Sequence, residues 1–417
     1  MKLWMIPSIY TVCSITAGFV LPRLEHLYLP EKTTTISIGS ALSFYSAVAG
    51  GMMALTGIVF AVAFVLVQFS AVAYSPRLVG VIGSGRVMFH TMGLFFATFT
   101  YAIVAMLWVD REGTGHVPLV SALIVAALLV SSLLGFTLLV QSLAELQVQS
   151  VLQTIGGRGR AVIRGMFPRT GTEEARLAPL PPLSPALQML AHDGEPRVVK
   201  HLDIAALVHL AEAADAVIVM DCAVGDTLVE STPLLHVHGV RTVPVPALLA
   251  AIHTGAIRTL DQDPKYAFRL LVDIAIRALS PAVNDPTTAV QALDQIEDLL
   301  RRLARRELDA GRAYDAGKRL RLVFPTPSWE DYLSLAFDEI RQFGATSVQV
   351  TRRLRAVLLG LAEAAPPDRR DAVLRYLEHL TAMIAHSGFD ALDRTMALGD
   401  DPQGLGIPRN RPAPGAS

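Results

Sequence analysis

Four long apolar segments occupy the first third of the chain, separated by short polar stretches. They cover roughly residues 4–22, 39–73, 87–109 and 117–141. Each segment is long enough to supply the about 20 helical residues that cross the hydrocarbon core of a bilayer. Lys2 precedes the first segment as in a signal peptide, but SITAGFVLP lacks a small-residue cleavage pattern and more apolar segments follow. The pattern predicts four transmembrane helices, the first of them a permanent anchor.

The pattern changes to short alternating and amphipathic segments after about residue 196. RVVKHL, AVIVMDC, the returning segment TLV and LLHVH are typical of strands, and they predict a small β-unit. From Asp263 onward, apolar residues recur at helical spacing. The predicted fold class is an α-helical integral membrane protein with four transmembrane helices and a mostly α-helical α+β cytoplasmic domain that contains the β-unit.

The domain boundaries follow from these changes in composition. Residues 1–150 form the predicted transmembrane domain, and residues 196–398 form the cytoplasmic domain. Between them, residues 151–195 hold the end of a helix, a Gly/Arg turn at 156–160 and the proline-rich stretch LAPLPPLSP. The Gly/Pro-rich residues 399–417 are predicted to be a disordered tail.

Charge is unevenly distributed and predicts the orientation. The first 150 residues hold six basic and five acidic side chains, out of 36 Lys+Arg and 37 Asp+Glu in the chain. Arginines follow the second and fourth segments, whereas the loop DREGTGHVP between the third and fourth is slightly acidic. Positively charged loops stay inside, so we expect a multi-pass protein of the bacterial inner membrane with both termini cytoplasmic. The net charge of −1 gives no sign of a nucleic-acid partner.

The second apolar segment carries a seam of small residues at alternating steps of four and three. Its members are Ser43, Ala47, Gly50, Ala54, Gly57, Ala61, Phe64, Gln68, Ala71 and Ser75. Small residues let helix backbones approach closely in lipid, so the seam predicts a helix-packing surface. The alternative is a wall that faces a pore, with Gln68 as its polar point.

A second stripe runs toward the end of the fourth segment and contains Ser131, Gly135, Ser142 and Glu145. If copies of the chain assemble around an axis, Glu145 would form a carboxylate ring at the inner mouth, as cation pathways use. The alternative is a Glu145 side chain that lies beyond the hydrocarbon and is solvated.

The stretch RALSPAVNDPTTA resembles a signature, with Ser280, Pro281, Asn284, Asp285 and Pro286 between two helical segments. A structural interpretation accounts for it: Pro281 stops one helix, Asn284 makes a tight turn, and Asp285 caps the next helix, with Pro286 at its first position. The alternative is a site in which Asp285, beside Asp273 or Asp294, holds a cation or an arginine of another subunit.

Candidate chemistry is sparse elsewhere. His236 and His238 lie two positions apart on one strand and therefore share a face, and Cys222 lies on a neighbouring strand. No paired-cysteine or His-Glu-x-x-His spacing accompanies them, so we predict no metal and no cofactor. No nucleophile elbow or phosphate-binding glycine loop is present, and we predict that the protein is not an enzyme.

Three stretches resemble the domain-of-unknown-function 2254 family of bacterial predicted membrane proteins. They are YSPRLV, DAVIVMDCAVGDTLVESTPLLHV and LDQDPKYAFRLLVDIAIRALSPAVNDPTTAVQALD. The family pattern has glycine where this chain has Ser231 and Ala282, an aromatic residue at Thr287, and often a histidine pair where this chain has Gln141 and Ser142. The resemblance covers nearly the whole chain and implies an architecture without an established activity.

Two functions remain open on these observations. The first is an oligomeric, channel-like protein for passive ion transport, with the cytoplasmic domain as a gate or vestibule. Almost no ionisable residue lies within the spans, so a proton-coupled carrier is not expected. The alternative is a membrane-anchored regulatory or ligand-sensing scaffold without transport. The expected partners are the lipid bilayer, further copies of the chain, and an ion or ligand that the sequence does not identify.

Overall fold

The computed structural model describes residues 5–28, 37–73, 86–109, 117–144, 148–167, 180, 182–308, 311–401 and 404–405. The chain divides into two compact units. The first contains residues 1–72 and 76–147, and the second contains residues 73–75 and 148–417. The division falls close to the predicted boundary at residue 150.

The first unit is a bundle of the four predicted apolar helices. They are α1 (Met5–Tyr28), α2 (Ile38–Ala73), α3 (Arg86–Met106) and α4 (Leu119–Ala144). All four are long and apolar enough to cross a membrane, judged by length and composition. The prediction of four apolar helices is confirmed.

Buried polar groups join three of these helices. On α1 and α3, Ser14 Oγ donates to the carbonyl oxygen of Ala97 at 2.6 Å. Between α3 and α4, the hydroxyls of Thr98 and Ser132 form a 2.8 Å hydrogen bond. Hydroxyls hydrogen-bonded between helices are a usual means of association in lipid, where hydrophobicity contributes little. Tyr45 of α2 and Phe95 of α3 belong to one buried hydrophobic cluster of this bundle.

The second unit contains two small sheets. The strands are β1 (Ala186–Ala191), β2 (Arg197–Leu202), β3 (Ala216–Met220), β4 (Thr227–Leu228), β5 (Pro233–Gly239), β6 (Ile252–Gly255), β7 (Arg312–Tyr314) and β8 (Leu320–Val323). One sheet has the order β1-β5-β3-β8-β7, and the other has the order β4-β2-β6. All described pairings are antiparallel except β3 with β8, which is parallel. The segments RVVKHL, AVIVMDC, TLV and LLHVH correspond to β2, β3, β4 and β5, and the sheets contain further strands that the sequence did not predict.

Helices make up most of the second unit, as predicted. They are α5 (Val148–Met166), α6 (Ile204–Ala213), α7 (Val245–Ala251), α8 (Pro264–Ala278), α9 (Pro286–Leu303), α10 (Trp329–Phe343), α11 (Val348–Ala364), α12 (Pro367–Ala385) and α13 (Ala391–Ala397). Aspartate side chains cap the N-termini of several of these helices. Asp203, Asp263 and Asp285 each accept a hydrogen bond from the backbone N–H three residues further along the chain. The predicted helix starts at Asp263 and Asp285 are confirmed.

The predicted turn at residues 156–160 is wrong, because these residues lie inside α5. Its glycines serve packing: a Cβ on Gly159 would lie 3.0 Å from both Ala267 of α8 and Leu299 of α9. Where α8 and α9 approach the backbone of α5 this closely, glycine is needed despite its low helix propensity. Arg160 strengthens the contact, since its Nη1 donates to Asp298 Oδ2 at 3.0 Å.

The tertiary structure also extends past Gly399, where the sequence predicts a disordered tail. Asp401 is fully buried and its carboxylate lies 3.5 Å from Arg352 Nε on α11. Its carbonyl oxygen accepts from Arg353 Nη1 at 3.1 Å. The same arginine binds Asp294 and Glu297 of α9 at 2.9 and 2.8 Å, so one side chain joins α9, α11 and the chain beyond α13.

Candidate functional site

The seam of small residues lies on the side of α2 that the other described residues do not cover. Tyr45, Met52 and Thr56 are buried in the bundle. At 3.6 residues per turn, these buried positions lie opposite the seam. The seam residues with described side chains are all exposed: Ser43, Ala47, Gly50, Ala54, Gly57, Ala61 and Phe64. Within the described part of one protomer, the seam is not a packing surface. The side chains of Gln68 and Ala71, and the whole of Ser75, lie outside the described residues.

The glycines of this helix show how open that side is. A Cβ added to Gly50 or Gly57 would have no atom within 4 Å. The large apolar residues of α2 that face outward, such as Met53 and Phe60, flank the seam and are 49% and 61% exposed. The seam is therefore an open surface of mostly small residues beside larger exposed apolar side chains.

The residues of the stripe on α4 do not all face the same way. Gly135 faces α3, because its carbonyl oxygen accepts a 3.2 Å hydrogen bond from Thr91 Oγ1. Ser131, one turn earlier, is exposed. The side chain of Ser142 and all of Glu145 lie outside the described residues, so the expected carboxylate ring stays a prediction.

The signature stretch forms the corner between α8 and α9. The Asn284 N–H donates to the Ser280 carbonyl at 2.9 Å, and the Asp285 N–H donates to the Ala278 carbonyl at 2.8 Å. Asn284 has a φ of +48°, a left-handed conformation in which asparagine is enriched several-fold among non-glycine residues. The left-handed backbone is therefore a specific reason for asparagine at this position of the turn.

Asp285 uses both carboxylate oxygens within this corner. Oδ1 accepts from the Thr288 N–H at 3.1 Å, and Oδ2 accepts from the Thr288 hydroxyl at 2.6 Å. Pro286 occupies the first position of α9, as predicted, and Pro281 is exposed in the turn.

The neighbouring acids that the site alternative requires are engaged elsewhere. Asp273 pairs with Arg269 at 2.5 Å, and Asp294 pairs with Arg353. Desolvation raises the pKa of Asp294, and the Arg353 guanidinium opposes that shift. The geometry favours a structural role for the corner.

The two histidines of β5 do share a face, with ring centroids 6.2 Å apart. His236 Nε2 lies 3.0 Å from Asp221 Oδ2, and His238 Nδ1 lies 2.7 Å from the Ser184 carbonyl oxygen. Cys222 is buried, and desolvation raises the pKa of its thiol to about 11, which keeps it protonated and unreactive near neutral pH. Among the described residues, no group of three His, Cys, Asp or Glu side chains could hold a metal ion.

One polar residue of the bundle was missed by the sequence interpretation. Glu25 lies beyond the first apolar segment predicted at residues 4–22, yet it belongs to α1, and its Oε1 accepts the Val120 N–H of α4 at 2.9 Å. A glutamate three residues before a helix end carries no sequence signal that places it inside a bundle. Only the packing of α1 against α4 in the folded bundle brings Glu25 to the start of α4.

The fold and its long apolar helices define a predicted membrane protein with an α+β second unit. Comparison with known proteins agrees: a model of the family described as predicted membrane protein, domain of unknown function 2254, matches residues 1–359. The chain belongs to that family.

Two relatives extend the match along the chain. One is an uncharacterized protein of Mycobacterium bovis and the other an uncharacterized protein of Mycobacterium tuberculosis. Each is 26% identical over 420 residues, covering 95% of this chain and 78% of the relative. No solved structure matches. Function must therefore be argued from this chain's own surfaces.

Proposed function

We propose that the protein is a homo-oligomer of the bacterial inner membrane in which the α2 seams of several copies meet and border a passive ion pathway. The carrying observation is that the seam lies opposite the packed side of α2 and is exposed along its described length. A row of Ser, Ala and Gly gains little from contact with lipid, whereas it lets two helix backbones approach closely. The seam is therefore suited to contact between copies.

In the proposed ion pathway, the end of α4 and the second unit have roles in addition to the α2 seams. An axis bordered by the seams would continue past Gln68 to a ring of Glu145 carboxylates, which favours cations. The second unit, on the cytoplasmic side in the orientation that the arginine distribution favours, would act as the gate or vestibule.

A scaffold without transport is the second candidate, and the composition of the seam favours it. Between Ser43 and Gln68 the seam holds only Ala, Gly and Phe. Such a surface can close completely against its copy and leave no water between the helices. In that case the spans serve for anchorage and association, and the second unit binds a ligand or a partner.

Ion flux into liposomes that contain the purified full-length protein separates the two candidates. We expect cation-selective flux that empty liposomes lack, and reduced cation selectivity in Glu145→Gln. Glu112→Gln, in the acidic loop between α3 and α4, is the matched control and should leave selectivity unchanged. An absence of flux across potentials and cations would contradict the pathway and leave the scaffold as the better account.

A further inference from the structure

The first unit contains an apolar pocket between three of its helices. Its walls come from α1, α3 and α4, and its volume is about 370 Å³. The apolar residues that line it include Ile9, Ala17, Leu21, Ala97, Ile124 and Leu128. Ile9 and Cys13 line the pocket and are exposed, so the pocket opens to the outside of the described bundle.

The wall of the pocket has the chemistry of a hydrocarbon site. Most of its side chains are aliphatic. Ser14, which also lines it, has its hydroxyl engaged within the bundle, because Oγ donates to the Ala97 carbonyl at 2.6 Å and accepts from Thr100 Oγ1 at 3.1 Å. Apolar cavities stay dry and take up apolar molecules. The occupant that suits this wall is therefore a hydrocarbon.

The position of the pocket along the helices identifies the source of that hydrocarbon. All its lining residues belong to the apolar lengths of α1, α3 and α4 that could cross a membrane, and phospholipid chains surround such segments in a bilayer. From Ile9 to Leu21, α1 rises about 18 Å, at about 1.5 Å per residue. One leaflet is about 15 Å deep, half of the hydrocarbon core. A single acyl chain therefore matches the pocket in length.

Polar groups lie at the end of the pocket near the starts of α1 and α3. Tyr10 lines the pocket, and its hydroxyl lies 3.3 Å from Nδ1 of His90, which is exposed. When the Tyr10 hydroxyl donates to Nδ1, the ring proton lies on Nε2, which can donate to a phosphate oxygen. A phospholipid with its headgroup at His90 can lay an acyl chain along α1 from Ile9 to Leu21.

We propose that this pocket binds one acyl chain of a membrane phospholipid, with the headgroup phosphate beside Tyr10 and His90. The chain supplies the dispersion contacts that the wall of an empty apolar space lacks. The site lies within one copy of the chain. It rests on the membrane location of the four helices and not on the ion pathway or on contact between α2 seams, so it can fail or hold independently of both.

Alkylation of Cys13 measures the occupancy of the pocket. Purified full-length protein in detergent is depleted of lipid, titrated with palmitoyl-oleoyl phosphatidylglycerol and treated with N-ethylmaleimide. Mass spectrometry of the Cys13 peptide follows the reaction, and Cys222 does not compete because it is buried and protonated. We expect saturable protection. At a lipid concentration about ten times the dissociation constant, mass action slows the alkylation about tenfold.

Three variants assign the protection to the pocket. Ala17→Phe places a ring inside it and should abolish the lipid-dependent slowing. Val130→Phe is the control, because Val130 is exposed and lies about 200° around α4 from Leu128; it should be protected like wild type. His90→Leu removes the phosphate donor and should require more lipid for the same protection.

The titrations also contain the results that would contradict the proposal. Alkylation of wild type that does not respond to lipid, or equal protection of wild type and Ala17→Phe, would overturn it. Protection that follows protein concentration and not lipid would identify a second copy as the occupant and overturn it as well. An unchanged titration in His90→Leu would overturn the placement of the headgroup.

Discussion

Arg321 Nε donates to Asp315 Oδ2 at 2.9 Å, and both side chains are almost completely shielded from solvent. The pair lies on the β7–β8 hairpin, and Arg321 Nη1 continues to the Ala216 carbonyl of β3 at 3.2 Å. The edge of the five-stranded sheet is therefore held by a buried ion pair, in addition to the short parallel pairing of β3 with β8.

This ion pair predicts a pH dependence of stability. The backbone N–H of Arg319 and the Arg321 guanidinium lower the pKa of Asp315 from 3.8 to about 2. A carboxylate whose pKa is lower in the folded state stabilises the fold above its unfolded pKa and loses that contribution as the pH falls through the folded pKa. We expect Asp315→Asn to be less stable than wild type at neutral pH, with the difference shrinking between about pH 4 and 2.

Thermal unfolding at a series of pH values measures that difference. Asp193→Asn, in an exposed turn, is the control and should follow wild type throughout. A gap between wild type and Asp315→Asn that stays constant down to the lowest pH would contradict the assignment.

Gly159 should tolerate no large side chain. Because Gly159 has no side chain, Ala267 and Leu299 can pack directly against its backbone. We therefore expect Gly159→Leu to force α5 away from α8 and α9. Overpacking of this kind costs about 1–3 kcal/mol. Gly165→Leu is the matched control, because no atom lies within 4 Å of its added Cβ. Equal chemical-denaturation midpoints for the two variants would refute the close packing.

Asn284 should be replaceable by glycine and not by a β-branched residue. At a φ of +48°, an ordinary L-residue pays about 1–2 kcal/mol, so Asn284→Val should lower the free energy of unfolding by about that amount. Asn284→Gly should stay close to wild type. Chemical-denaturation midpoints of the two variants measure this difference in stability. If Asn284→Val were as stable as Asn284→Gly, the left-handed backbone would not be the reason for asparagine.

Asp285 should contribute to stability and not to activity. Asp285→Ala removes the acceptor for Thr288 and should cost about 1 kcal/mol, the usual value of an N-cap. Asp285→Ser retains a capping oxygen and should recover most of the loss. An Asp285→Ala protein that unfolds like wild type yet fails in the flux assay would show that the corner is a functional site.

Local features of the fold could be predicted from the sequence, whereas contacts between distant segments could not. Asp263 and Asp285, each followed by proline, marked two helix starts because capping and proline chemistry act within one turn. Gly156 and Gly159 were interpreted as a turn because glycine favours turns, and only the neighbouring helices α8 and α9 explain them as packing positions. The sequence pattern could not distinguish these two uses of glycine.

The candidate sites show the same division. The seam was visible as a period of small residues, but which side of α2 the bundle covers depends on the neighbouring helices. The contact of Glu25 with Val120 joins residues 95 positions apart, and no local pattern announces it. The parallel pairing of Ile218 with Leu322 likewise joins strands that are distant in sequence.

Disulfide cross-linking between copies in native membranes tests the central claim most directly. Ala54→Cys, on the seam, is compared with Met53→Cys, which lies at nearly the same depth but is rotated about 100° around α2. Both are made in a Cys13→Ala background, because Cys13 is an exposed free cysteine. We predict that mild oxidation yields covalent dimers with Ala54→Cys and few with Met53→Cys. Dimers at neither position, or equally at both, would contradict an assembly through the α2 seam.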